Sequence, residues 1–270
     1  MHRLPILVLT AACGAAVQPP RATPLCAGTV SCGREQLIEA DQALQHAIHQ
    51  RGVASAFSEV LLDDAHLLAD GKGLIAGKPR ILEALAAAPP FSWTLARADV
   101  SLDADLGYSF GFMEKGLYAA VWRRRSGAFR LAVFLSRPAR PQSVAPPAWF
   151  VPFRGERETG PAARQSVSAT DSAFAALAKR ADMQTAFAAY AAQDAVLFGS
   201  TMVFGREAIR EGLGGAATLD WGPIAEGSAQ DLGYTVGGYS RGAVRGNYLT
   251  IWRLEADGSW RYVLDGGVKG

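Results

Sequence analysis

The apolar and polar positions change period several times along the chain. In Glu35 to Gln50, Leu37, Ala40, Leu44, Ala47 and Ile48 recur at helical spacing, which predicts an amphipathic helix. A short helix over "FSEVLL" follows, then a strand over "HLLA", then a Gly-led helix over "KPRILEALAA" with Pro79 in its first turn. From there the period falls to that of strands, through "FSWTLARADVSL", "YSFGFME", "YAAVWRRR" and "FRLAVFL". "RSGA" (Arg125 to Ala128) predicts a tight hairpin turn with Gly127 at positive φ, and "ADGS" (Ala256 to Ser259) does the same later with Gly258.

The whole order is then written again. Ala56 to Leu85 lines up with Ala186 to Leu213. Asp64-Ala65 answers Asp194-Ala195, Trp93 answers Trp221, "DLGYSFGF" answers "DLGYTVGG", and Tyr118 and Trp122 answer Tyr248 and Trp252. The matches stay about 130 residues apart, which marks a tandem duplication of one supersecondary unit. Helices first and a meander afterwards predict an α+β unit with helices on one face of a sheet. The boundaries read as 34–137 and 168–270, joined by a Pro-rich linker over 138–167 in which Trp149, Phe150 and Phe153 should dock on a domain surface.

Asp231-Leu-Gly-Tyr-Thr, Tyr248-x-Thr-x-Trp-Arg, Asp257-Gly-Ser-Trp-Arg and Leu264-Asp265-Gly-Gly resemble SnoaL-like proteins of the nuclear-transport-factor-2-like, or cystatin-like cone, superfamily. The resemblance covers 168–270 closely and the first unit more loosely. It implies a curved, mostly antiparallel sheet wrapped on helices around a conical pocket. It also implies that two tandem cones pack as an intramolecular pseudo-dimer, with further oligomerisation optional. It implies no single reaction, because one fold hosts isomerases, dehydratases, cyclases and binding modules.

The N-terminus changes the picture of where the protein acts. "MHR" and the apolar run "LPILVLTAA" read as a signal peptide over 1–12, and "LTAAC" resembles a lipoprotein signal with Cys13 as the acylated residue. Residues 13–33 then form a lipid-anchored tether, and the protein sits in the bacterial envelope facing the periplasm, touching the membrane through its lipid alone. Cleavage after Ala16, giving a soluble periplasmic or secreted protein, is the rival. Cys26 and Cys32 remain as an even pair that an oxidising compartment would close into a disulfide.

Composition trims the function classes. A net charge of +2 with 19% charged residues gives no basic stripe for nucleic acid. His46 and His49 lack a third ligand, so no metal is expected. "GKGLIAGKP" has Pro79 where a phosphate loop needs Ser or Thr, and no nucleotide or other cofactor is expected.

Two functions remain. One is a non-catalytic protein binding a small apolar or amphipathic molecule, or a protein partner, in pockets lined by Trp93, Tyr118, Trp122, Trp221, Tyr234, Tyr248 and Trp252. The other is a cofactor-independent isomerase or lyase with Asp265 as general base in the second cone. His66, which stands where the second copy has Val196, is a further candidate. Strict alternation along the last strand puts Asp265 on one face with Val263 and Arg261, so that Arg261 could pair with it. The first copy has Phe134 at the matching place.

Overall fold

A computed structural model describes residues 29–139, 146–148, 150, 151 and 160–270. Cys13, Cys26, Trp149 and Phe153 lie outside the described residues. The first unit runs α1 (Val30–Arg51), α2 (Val53–Val60), β1 (Leu61–Ala69), β2 (Gly73–Ala76), α3 (Lys78–Leu85), β3 (Trp93–Val100), β4 (Leu106–Met113), β5 (Gly116–Arg125) and β6 (Ala128–Pro138). The second repeats it as α4 (Val167–Arg180), α5 (Met183–Tyr190), β7 (Ala191–Phe198), β8 (Met202–Phe204), α6 (Arg206–Gly212), β9 (Asp220–Ala229), β10 (Leu232–Arg241), β11 (Val244–Leu254) and β12 (Trp260–Lys269).

Each unit is an α+β cone with a six-stranded sheet. The orders are β2-β1-β6-β5-β4-β3 and β8-β7-β12-β11-β10-β9, the same topology twice. All pairings are antiparallel except β1 with β6 and β7 with β12. The edge strands β2 and β8 are too short to show a period, so periodicity does not find them. Helix α1 begins inside the stretch read as tether, because the Thr29 hydroxyl caps it by accepting from the Cys32 backbone N–H. Both hairpin glycines sit at positive φ, Gly127 at 81° and Gly258 at 76°.

The sheets bend at matching places. The β5–β6 register slips by one residue between Val121 and Trp122, and the β11–β12 register slips between Ile251 and Trp252. Ala132 and Val263 are the extra residues of these bulges, which sharpen the local twist. Concave faces then carry Tyr118, Ala120 and Trp122 in one unit and Tyr248, Thr250 and Trp252 in the other, with the long helices packed against them.

The convex faces meet. Leu106, Tyr108, Phe110, Val121 and Val133 of the first unit share one continuous apolar cluster with Tyr234, Val236, Leu249 and Ile251 of the second. The interior of the first cone is a separate cluster. The two units therefore pack as an intramolecular pseudo-dimer. Phe150 from the linker is buried at this seam, edge-on to Phe110 and Phe204 at 6.3 and 4.9 Å.

An ion cluster fixes the seam. Arg97, almost wholly buried, donates to Asp194 Oδ2 at 2.9 Å, and its guanidinium lies 4.1 Å from the Phe150 ring. Arg253 donates to Asp194 Oδ1 at 3.1 Å. Repeated Asp64 and Asp194 read naturally as turn residues, yet both lie within strands. Asp194 holds Arg97 across the seam and Arg253 within its own unit, whereas Asp64 is exposed. Asp194→Ala would leave both cations buried without their shared carboxylate, so it should destabilise the fold by about 3–5 kcal/mol, against less than about 1 kcal/mol for Asp64→Ala. Urea unfolding of both variants checks this, and equal losses would contradict it.

Candidate functional site

Helix α1 buries more than its apolar stripe. Asp41 sits on that stripe with Leu37, Leu44 and Ile48, and it is buried with them. It accepts from Trp93 Nε1 at 2.7 Å and from the Ser109 hydroxyl at 2.7 Å. Asp171 occupies the same place in α4, between Val167, Phe174 and Ala178. It accepts from the Tyr248 hydroxyl at 2.7 Å and from Trp221 Nε1 at 3.1 Å. Burial raises both carboxyl pKa values, and the hydrogen bonds oppose that rise. Trp122 Nε1 donates to Ser109, and Trp252 Nε1 donates to Thr235. Thus the same polar network ties helix to sheet in each cone. The sequence signal for it was a carboxylate on an apolar helical stripe, repeated in both copies.

The two cones differ in what fills them. In the first, Phe134 reaches inward and packs edge-on to Phe57 at 5.3 Å, with Phe91 and Trp93 about it at 6.1 and 6.0 Å. Trp93 and Tyr118 close the stack at 5.0 Å. In the second, the matching position is Asp265, and a cavity of about 670 Å³ stands open beside it. Its apolar wall includes Phe174, Phe187, Leu197, Leu213 and Trp221, while Tyr248 and Asp265 supply polar groups. Gly237 makes room for Tyr248: a Cβ there would lie 2.3 Å from the tyrosine ring.

The bulge at Val263 decides where Asp265 points. It resets the alternation, so Asp265 pairs with Thr250 and shares the concave face with Tyr262 and Trp252, not with Arg261. Asp265 Oδ2 accepts from the Thr250 hydroxyl at 2.6 Å. Arg261 instead donates to the Ala189 carbonyl. Burial pushes the Asp265 carboxyl up to about 7; the Thr250 hydrogen bond opposes that shift and the nearby Asp171 carboxylate adds to it. Tyr248 is raised far above the usual phenol range by burial and by Asp171.

The remaining residues singled out from sequence are dispersed. Trp221 and Tyr248 line the cavity. Trp252 is fully buried in the core behind it, 6.2 Å from Phe174 and 6.3 Å from Tyr262. Trp93, Tyr118 and Trp122 belong to the filled first cone. Tyr234 is on the convex face, where it pairs with Ile251 and meets Arg123 of the other unit, so it is a seam residue and not a pocket residue. His66 pairs with Val133, also convex, and burial lowers its pKa; it faces away from the first cone's interior. In both cases the strand's phase, which only the register reveals, settles the side. His46 bonds Gln50 and His49 bonds Ser92. Cys32 lies in the first turn of α1, and Cys26, its expected partner, lies outside the described residues.

No protein-family profile matches the chain, and no curated protein matches it in sequence. Solved structures do match. The chain is similar to an NTF2-like protein of unknown function from Shewanella oneidensis MR-1, at 13% identity and a TM-score of 0.33 over 38% of this chain and 97% of that one. It is similar to a ketosteroid isomerase-like protein from Erwinia carotovora atroseptica, at 16% identity and 0.33 over 38% and 93%. An NTF2-like protein of unknown function from Pseudomonas putida KT2440 matches at 12% identity and 0.36 over 44% and 100%. Both units have the cone fold by their own topology.

Asp265 binds its proton more tightly in the folded chain than in the unfolded one. Stability from this group is therefore present below about pH 4 and is lost as pH rises toward about 7, where the carboxylate is forced to ionise in its enclosure. Asp265→Asn should match wild type near pH 4 and exceed it by about 4 kcal/mol by pH 8, since the amide oxygen still accepts from Thr250. Urea unfolding across that range checks it, and a difference that stays constant with pH would contradict it.

Proposed function

We propose that the protein binds a small, mainly apolar molecule with one hydrogen-bonding group in its second cone, and that it acts from the cell envelope. The single observation that carries the first part is the divergence of two copies of one fold. Rings pack the depth of the first cone, which leaves about 390 Å³ at its mouth, and the second keeps a cavity of about 670 Å³ with Asp265 and Tyr248 in its wall. That volume suits a ligand of drug-like size, and an apolar wall with few polar groups is the usual make-up of such a site. The first cone then serves as the built-in dimer partner that covers the convex face of the second. The envelope assignment is supported by "MHRLPILVLTAAC", with Cys13 as the lipidated residue.

One observation favours a second reading, a cofactor-independent isomerase or lyase. Asp265 faces the cavity with a pKa of about 7, the range in which a carboxylate takes and returns a proton efficiently. A ligand carbonyl with its neighbouring C–H over Asp265 would lose that proton to the carboxylate. The electron pair would move onto the carbonyl oxygen as an enolate. Return of the proton to a different carbon completes an isomerisation, and departure of a group from the next carbon completes an elimination. Tyr248 is placed to donate to the enolate oxygen when Asp171 is protonated and donates to Tyr248 in turn.

Mass spectrometry of the protein purified from native membranes reads both parts of the proposal. The expected result is one co-purifying apolar molecule released on unfolding, and a mature chain starting at an acylated Cys13. A ligand-free protein starting at another residue would overturn both. With the ligand in hand, Asp265→Asn separates the two readings. Loss of turnover by about 10²–10⁴-fold with binding kept marks the enzyme, and binding with no turnover in wild type marks the carrier.

A further inference from the structure

The mouth of the second cone is built partly by the first unit. Asp70, in the turn between β1 and β2, and Arg137, at the end of β6, both line the cavity. They share its rim with Arg241, Lys269 and Tyr239 of the second unit. Arg137 reaches across the seam and donates through one terminal nitrogen to the carbonyls of Phe198 and Gly267, at 2.6 and 2.8 Å. Gly267 lies two residues beyond Asp265, so the first unit anchors the strand that carries the cavity's carboxylate.

The charges at this rim do not balance. Among the described residues, Arg137, Arg241 and Lys269 outnumber the cavity's two carboxyl groups, Asp70 at the rim and Asp265 in the wall. Asp70 also accepts from the backbone N–H of Lys269 at 3.1 Å. Burial disfavours the charged form of Arg137, and Asp70 offsets part of that cost. The Arg137 Nε–H is buried, with no acceptor among the described residues. An anionic head at the mouth would offset the excess positive charge that the three cations bring to the rim. Below this ring the wall turns apolar, through Leu197, Leu213, Phe187 and Phe174.

We propose that the second cone takes an amphipathic acid: an apolar body in the cavity, and a single carboxylate, phosphate or sulfonate head at the mouth held by Arg137, Arg241 and Lys269. This rests on the reading of the second cone as a ligand site and narrows its ligand class. Arg137 supplies a cation that the seam holds in place at the mouth, while the exposed Arg241 and Lys269 add attraction and orientation. The site needs both units, since Arg137, the cation tied to the second unit's backbone at the mouth, comes from the first. That gives the filled cone a part in recognition as well as in packing.

The test uses two fluorescent probes with the same apolar body, the anionic 1-anilinonaphthalene-8-sulfonate and the neutral N-phenyl-1-naphthylamine. The variant R241Q/K269Q changes exposed side chains at strand ends, so folding is not at stake. In it, the sulfonate probe should bind about fivefold more weakly, with the neutral probe unchanged. Added salt should weaken the sulfonate probe alone in wild type. R137Q should weaken the sulfonate probe further still. If both probes bind wild type and R241Q/K269Q weakens neither, or weakens both equally, the anionic-head inference fails and the cavity remains a site for neutral ligands. If wild type takes neither probe, the reading of the second cone as a ligand site fails with it.

Discussion

Each cone depends on a carboxylate that its long helix takes out of water. Leaving such a group unpaired in an apolar interior would cost several kcal/mol or force it to stay protonated. Asp41 and Asp171 avoid that by accepting from tryptophan, tyrosine and serine side chains on strands β3 to β5 and β9 to β11. Those partners are far apart in sequence, so the network fixes how the helix lies in the curve of the sheet. It also fixes the orientation of Tyr248, and through it one wall of the open cavity. Structural and chemical roles meet in the same hydrogen bonds.

Duplication explains the division of labour. A single cone exposes a convex apolar face that needs cover. Two copies in one chain cover each other through the shared cluster around Phe110 and Ile251, and the Arg97–Asp194–Arg253 group sets their register. With cover guaranteed, the two interiors were free to diverge. Phe134 and its neighbouring rings pack the depth of the first cone and make it a support. Asp265 and the surrounding apolar wall make the second a cavity, with Arg137 of the first unit reaching its edge.

Much of this was legible in the sequence. The repeat, the α+β order, both hairpin glycines and the contrast between Phe134 and Asp265 can be read from residue types and spacing. What failed did so for a common reason. Strand alternation gives a face only while the register is unbroken, and one extra residue, Val263, turned Asp265 away from Arg261 and toward Thr250. The side that Tyr234 and His66 occupy likewise depends on pairing partners and not on local pattern. Asp41 and Asp171 were readable but easily passed over, since a polar residue on an apolar stripe looks like a break in the pattern. The rim at Arg137 was not legible, because it arises from how two units dock.

The central claim is that one fold, written twice, packs the depth of its first copy with rings, leaving about 390 Å³ at that mouth, and keeps a cavity of about 670 Å³ in its second. Diffraction from crystals held under xenon pressure tests it most directly, since xenon enters apolar cavities without needing a specific contact. Xenon should appear beside Leu197, Leu213 and Phe187 in the second cone, with none among Phe57, Phe91 and Phe134. Xenon in the first cone, or in neither, would contradict it.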